Sequence, residues 1–389
     1  VQQNQLNPRR LVKTPSFPNA ARSAIFHNTG AYSSFNGGLP SGGHNMFGSI
    51  AICSGRSSEA LTGRICELLG VEPEPAEFIE FSNGNLMVNF TGGTVREKDV
   101  FVIQSGERSI FQDRSEAFGT VSGDILELLQ MMYAIKDSAG RITAVTPYFP
   151  YARSDKKDKP RIAITAKMMF DLIAAVRASR VLTMTLHCPQ SQGFSDIPVD
   201  QLHAQGTFMK KILELGREKI GFLAPDSGSI TDNDAMAVYV SRAIKDAGGA
   251  PDVVTGYVKK VRFDDSERPQ VRSVEGIDNF ENRTVIMCDD EILSGRSLVQ
   301  SAQTARDRGA EEIFAFVTHG VLSGQAVKLI EESPITRLFI TDTIEFNSEA
   351  AAAVNGGPVT KIETVTVAPV FAEAIKRIHS GQSLSSLFL

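Results

Sequence analysis

Two adjacent carboxylates, Asp289 and Asp290, stand just ahead of the run Ser294-Gly295-Arg296-Ser297. Neighbouring carboxylates can accept hydrogen bonds from the vicinal hydroxyls of a ribose. Hydroxyls, a glycine and the free N–H groups of a helix N-terminus make a cradle for a phosphate. The apolar residues Thr284–Met287 predict a buried strand, which puts the acids at its carboxyl end, where open α/β sheets bind ligands. Residues Ser297–Arg308 predict the helix that follows. A plain βα turn with solvated acids is the bland alternative, but paired acids followed by a hydroxyl-rich glycine turn favour the ligand.

Other side chains could serve phosphate and metal chemistry. Arg153, Lys157, Lys159 and Arg161 form a basic cluster with no apolar face, and such a run is usually a solvated surface. His187 ends an apolar strand, where a lone histidine is more often structural than a ligand. Asp196 and Asp200 follow it. Asp226 comes just after the strand Ile220–Leu223, where the ordinary role is a helix cap, although Asp232 could fill that role instead. In Tyr257-Val-Lys-Lys-Val-Arg262, Lys260 and Arg262 lie two apart and share one face of a strand, and Lys259 points the other way.

These residues need a frame. From Gly48 onward, short apolar runs alternate with amphipathic stretches. Strands are expected at Ile50–Cys53, Val100–Gln104, Ile142–Pro147 and Val181–Leu186, and helices at Ser58–Leu69, Ile125–Ile135 and Thr165–Val176. The alternation restarts after Leu202, with helices at Phe208–Leu215 and Thr231–Ala247, strands at Ile220–Leu223 and Glu312–Thr318, and Leu338–Thr341 as the last clear strand. Such alternation predicts βαβ units on parallel sheets. The chain of 389 residues is long enough for two domains plus an extension. The expected division is an extension at 1–47, one α/β domain at 48–203 and a second at 204–389.

Composition narrows the function classes. A net charge of -5 gives no general attraction to nucleic acid. No uninterrupted apolar run reaches the length of about 18 residues that suggests a membrane helix. Cys53, Cys66, Cys188 and Cys288 form no C-x-x-C pair, and a zinc site or disulfide framework is not expected. Residues 1–58 contain Arg9, Arg10, Lys13, Arg22 and Arg56 but no acid. That stretch reads equally as a disordered polar tail or as an organelle transit segment. The expected compartment is the cytoplasm, or the matrix of a mitochondrion or plastid if the segment is a transit sequence.

The loop at 289–297 resembles the phosphoribosyl-diphosphate motif of type I phosphoribosyltransferase folds. Pro147–Arg161 followed by Thr165-Ala-Lys167, Thr185–Asp200, Pro225-Asp-Ser-Gly228 and Thr318–Gly324 then match, in order, the motifs of the ribose-phosphate pyrophosphokinase family. The resemblance implies two consecutive type I phosphoribosyltransferase-like domains with parallel sheets. It implies transfer of diphosphate from ATP to the anomeric hydroxyl of ribose 5-phosphate, with Mg²⁺, in dimers that build a hexamer or in a hetero-oligomer with paralogues. Carried onto this chain, it assigns Phe81, Asn83, Asn85, Arg153, Ser154, Lys157, Arg161 and His187 to ATP. It assigns Asp226, Asp289, Asp290, Ser294, Gly295, Arg296 and Ser297 to the ribose phosphate. His187, Asp196, Asp200 and Asp226 fall to the metal, and Lys260 and Arg262 to catalysis on a flap.

The chain departs from that family's pattern within the motifs themselves. Asn85 stands for a usual Glu, Ser154 for Gln, Thr185 for Asp and Ser229 for Gly. Leu293 stands where the loop has an acid and Arg296 where it has Gly, and residues around Gly106–Thr120 form an insertion. An active synthetase is the leading expectation. A weak or inactive member that serves as a regulatory or structural subunit is the alternative, and a 5′-extended ribose as acceptor is a third.

Overall fold

The computed structural model describes residues 11–13, 47–106, 120–261 and 270–387. In chain order the first half comprises β1 (Leu11–Lys13), β2 (Ile50–Ser54), α1 (Glu59–Leu69), β3 (Pro73–Glu74), β4 (Ala76–Glu80), β5 (Leu86–Phe90), β6 (Asp99–Ile103), α2 (Val121–Ile135), β7 (Arg141–Thr146), α3 (Thr165–Ala175), β8 (Arg180–Met184) and β9 (Val199–Leu202). The main sheet has the order β3-β2-β6-β7-β8-β9, with every neighbouring pair parallel. All five residues of β6 are buried, as a central parallel strand covered on both faces requires. Strands β4 and β5 form a separate antiparallel hairpin with β1 on its edge.

The second half comprises α4 (Gln205–Glu214), β10 (Lys219–Ala224), α5 (Ile230–Asp246), β11 (Asp252–Val261), β12 (Gln270–Glu275), β13 (Thr284–Ile292), α6 (Arg296–Asp307), β14 (Glu312–Gly320), α7 (Ala326–Glu331), β15 (Arg337–Thr341), α8 (Ser348–Asn355), β16 (Ile362–Val365) and α9 (Ala368–His379). Its sheet runs β12-β11-β10-β13-β14-β15-β16. All pairs are parallel except β11 with β12. The expected pair of consecutive α/β units is present, with most element ends within two residues of their predicted places. Among the described residues no helix is long and apolar enough to cross a membrane. All four cysteines are free, and Cys53, Cys66 and Cys288 are buried.

Strands β1, β3, β4, β5, β9 and β12 and helix α7 are additional to the expected elements, and two further differences bear on the site. Strand β13 continues five residues beyond Met287, because pairing with β14 persists through Glu291↔His319 and Ile292↔Gly320. The acids therefore sit inside the strand rather than beyond it. The chain also has a further strand and two further helices after Thr341, and α9 packs against α1 of the first half. Buried Asp99 ties this return in place: it takes both Nε and Nη2 of Arg141 and lies 2.9 Å from Nδ1 of His379. Phe371 and Ile375 of α9 are fully buried in a core cluster shared with Ile52, Ile65 and Phe101 of the first half. Each such side chain contributes about 1.5–3 kcal/mol of burial free energy. The insertion expected at Gly106–Thr120 lies almost wholly outside the described residues, as does most of the N-terminal extension.

Candidate active site

Strand β13 is central in its sheet, between β10 and β14. Its first five residues are buried, and Asp289, Asp290 and Glu291 are half-buried at its C-terminal end. Buried Asn233 of α5 fixes the strand just ahead of the acids. Its Oδ1 accepts from the Cys288 N–H at 2.9 Å and its Nδ2 donates to the Cys288 carbonyl at 2.8 Å. After Ile292 the chain turns at Gly295, whose φ of 72° is left-handed and suits a residue without a Cβ. The N-cap of α6 is this glycine, which has no side chain to cap the first turn, and a helix N-terminus so placed suits an anion. Ser294, Arg296 and Ser297 are exposed around this turn. Leu293 packs instead against Tyr148, Val321 and Ile344.

Loops after β7 and β8 carry two cations to the same place. His187 Nδ1 lies 2.7 Å from Asp290 Oδ2, and Arg153 Nη1 lies 3.5 Å from Glu291 Oε1. A cleft of about 970 Å³ is lined by Arg153, His187, Asp226, Asp289, Asp290 and residues 294–297. A second cleft of about 500 Å³ shares Arg153 and His187 and adds Asp155, Lys156, Asp158 and Gln190. Two adjoining compartments thus meet at one arginine and one histidine.

The charges in the site are strongly interdependent. Burial, then the negative charges of Asp290 and Asp226, push the Asp289 carboxyl well above the ordinary carboxylate range. Burial also opposes ionisation of Asp290, but the hydrogen bond and charge of His187 outweigh it and hold that carboxyl low. The same hydrogen bond raises His187 above the ordinary imidazole value. Burial raises Glu291, with Arg153 and Tyr148 acting in opposition.

A buried histidine supports the loop that carries His187. His319, on β14, donates from Nε2 to the carbonyls of Met184 at 3.1 Å and Thr185 at 3.0 Å. Its Nδ1 lies 2.9 Å from the Thr343 hydroxyl; the two carbonyl contacts place a proton on Nε2. Burial accordingly lowers its pKa. Thr185 has a φ of 41°, a strained value for a β-branched residue, and its carbonyl is held there by His319. Sequence reasoning matched the Thr318–Gly324 segment as a motif without a role for this residue. Glu291 and Asn233 were missed altogether, since an acid in a motif's variable position and an asparagine in a helix carry no distinctive spacing.

The predicted site residues separate into two groups. Arg153, His187, Asp226, Asp289, Asp290, Ser294, Gly295, Arg296 and Ser297 line one cleft. Phe81, Asn83 and Asn85 lie away from it, exposed in the turn between β4 and β5, where Asn83 Oδ1 accepts from the Asn85 N–H at 3.1 Å. The Ser154 hydroxyl is engaged with Thr165 and the Ala163 carbonyl, closing the base of the basic loop rather than facing a ligand. Lys157 and Arg161 are exposed, and Lys156 is the lysine of that loop that lines the second cleft. Lys260 lies in β11, with its side chain outside the described set, and Arg262 is outside the described residues.

The geometry brings only part of the expected metal set to the cleft. Asp200 is on β9 and is bound to Arg180, so its charge is already neutralised. Asp196 is exposed and lines neither cleft. His187 has its Nδ1 committed to Asp290. Asp226 does reach the cleft, with Oδ1 accepting from the N–H groups of Gly228 and Ser229, which braces the turn ahead of α5 and does not cap the helix, whose N-cap is Ser229. Among the described residues no three His, Cys, Asp or Glu side chains are grouped to hold a metal ion. Mutual repulsion among Asp226, Asp289 and Asp290 nevertheless suits a hard cation bound through one or two carboxylates and completed by water and phosphate oxygens.

Residues 50–176 match the family model described as the N-terminal domain of ribose phosphate pyrophosphokinase, and residues 254–389 match the phosphoribosyl synthetase-associated domain. The chain is 38% identical over 344 residues to the ribose-phosphate pyrophosphokinase of Deinococcus radiodurans, with 87% of this chain and 98% of that protein covered. It is 39% identical over 346 residues to that of Caldanaerobacter subterraneus, with 87% and 98% covered. The crystal structure of phosphoribosylpyrophosphate synthetase from Mycobacterium smegmatis superposes with a TM-score of 0.70 at 27% identity, covering 86% of this chain and 100% of that one.

Proposed function

We infer that this chain, which belongs to the ribose-phosphate pyrophosphokinase family, transfers diphosphate from ATP to the anomeric hydroxyl of ribose 5-phosphate, giving phosphoribosyl diphosphate and AMP. The observation that carries this reading is the convergence of Arg153 and His187 with Asp226, Asp289, Asp290 and the Ser294–Ser297 turn on one cleft. Cations from one sheet and ribose-binding acids from the other are what a two-substrate phosphoryl transfer requires.

In the reaction the anomeric oxygen forms a bond to the β-phosphorus of ATP, the bond from that phosphorus to the oxygen bridging it to the α-phosphorus breaks, and AMP leaves with that oxygen. The hydroxyl proton is lost to solvent or to a cleft carboxylate. Asp289 and Asp290 accept hydrogen bonds from the ribose hydroxyls. Ser294, Ser297 and the first N–H groups of α6 hold the 5-phosphate, with Arg296 adding a positive charge. Arg153 and His187 orient the triphosphate, and the loop from Asp155 to Ile164 closes over it and excludes water. Lys260 and Arg262, at the end of β11 and just beyond it, are assigned to the transferring phosphate. Mg²⁺, when bound, neutralises triphosphate charge; Asp226 with Asp289 is the donor set that fits it.

A coupled assay for AMP release with ATP, Mg²⁺ and ribose 5-phosphate tests the proposal. AMP and phosphoribosyl diphosphate are expected in equal amounts, and neither without the sugar. Absence of AMP above background with purified protein overturns it. A native mass measurement on the same sample tests the accompanying proposal of a homo-oligomer.

A further inference from the structure

Glu291, half-buried as a residue, has a buried side chain that the proposed reaction does not use. Its side chain is only 4% exposed, while that of Arg153 is 55% exposed. Tyr148, itself buried, donates its hydroxyl to Glu291 Oε2 at 3.0 Å. That leaves Oε1 facing Arg153 Nη1 at 3.5 Å. The carboxylate is therefore fixed by a buried phenol and by the regular pairing of β13 with β14 at Glu291↔His319. The guanidinium is far more exposed. It sits on a loop, mostly in solvent, at the boundary shared by both clefts.

We propose that Glu291 is a positioning residue that holds Arg153 at this boundary in the nucleotide-free chain by standing where a nucleotide phosphate would engage the guanidinium. The proposal rests on the reading of Arg153 as a triphosphate-binding cation. A phosphate offers a guanidinium two parallel charge-assisted hydrogen bonds, whereas Glu291 offers one long contact from a carboxylate already shared with Tyr148. The exchange thus favours nucleotide, but each binding event must first break the contact with Glu291. The apparent affinity for ATP is lowered by the fraction of chains in which Arg153 is held. Tyr148 tunes this latch, because its hydroxyl draws carboxylate charge away from Arg153.

The test uses two variants with opposite expected signs. Glu291→Gln keeps the shape and an acceptor for Tyr148 but removes the charge facing Arg153. ATP affinity, measured by direct equilibrium titration, is expected to rise about two- to fivefold, the range of a partly exposed ion pair, with KM for ribose 5-phosphate unchanged. Tyr148→Phe leaves the carboxylate with Arg153 as its sole partner of the two, so ATP affinity is expected to fall. A purely structural role for Glu291 would weaken ATP binding in both variants, and that shared direction overturns the proposal. So does an unchanged affinity in Glu291→Gln, or a wild-type chain that binds no ATP. If Glu291→Gln fails to fold, Glu291→Met, which also removes the charge facing Arg153, takes its place, and the absence of a rise in ATP affinity in that variant overturns the proposal. Binding of ATP without AMP formation would sink the catalytic reading while leaving this comparison intact.

Discussion

His187 Nδ1 and Asp290 Oδ2 are 2.7 Å apart across 103 positions of sequence, which joins the loop after β8 to the central strand of the second sheet. The pair sets the protonation state on both sides. His187 is raised, so its contribution to stability is fully present below the unfolded imidazole value, about 6.5, and is lost as pH rises through the folded value. Asp290 is depressed, so its contribution is lost as pH falls through its lowered value. Asp290→Asn is therefore expected to lower the pKa of His187, as followed by titration of its imidazole resonances. An unshifted His187 titration in the variant would show that the contact does not hold in solution.

Asp200 and Asp226 are expected to respond differently to substitution, although both are acids in the matched motifs. Asp200 is already paired with Arg180, and both side chains are partly exposed. Asp200→Asn should cost about 1 kcal/mol or less in thermal unfolding. It should leave the Mg²⁺ requirement for AMP formation within about twofold, because a carboxylate committed elsewhere makes no metal contact. Asp226→Asn should raise that requirement by about tenfold or more, the usual scale for loss of a metal-linked group. Equal effects of the two substitutions on the Mg²⁺ titration would contradict the placement of Asp200.

Gly295 tests the phosphate turn. A Cβ built there would meet Ala326 O, Ile292 Cδ1 and Ile330 Cδ1, each at 3.7 Å, which is ordinary contact. The cost of Gly295→Ala is then the left-handed backbone alone, about 1–2 kcal/mol, measurable by urea denaturation. If the chain relieves the strain by leaving that conformation, the first N–H groups of α6 turn away and KM for ribose 5-phosphate rises while that for ATP does not. A KM for ATP that rises equally would place the turn elsewhere in the reaction.

His319 is expected to matter for both stability and pH response. His319→Ala leaves the Met184 and Thr185 carbonyls and the Thr343 hydroxyl without this partner, at a cost of about 2–3 kcal/mol. Because burial depresses its pKa, the unfolded chain takes up a proton first as pH falls. The stability present above about pH 6.5 is therefore lost progressively below that value, down to the lowered folded pKa. In His319→Gln, where an amide can still donate to the two carbonyls, this part of the acid destabilisation should vanish. Parallel stability curves for wild type and His319→Gln between pH 5 and 7, the range about the free imidazole value, would refute it.

The sequence by itself determined the alternation of strands and helices, the two consecutive parallel sheets, and the order of motifs that marks the family. These depend on local apolar periodicity and on short contiguous runs such as Asp289 to Ser297, which a single strand and turn hold together. Only the tertiary structure decided which charges are free to act. Asp200 is neutralised by Arg180 on a neighbouring strand, Ser154 is absorbed into its own loop, and Leu293 turns into an apolar cluster with Tyr148. Glu291, His319 and Asn233 gained their roles from partners 143, 134 and 55 positions away. A side chain's charge and burial depend on what the fold brings against it, and parallel sheets bring together residues that no local spacing connects.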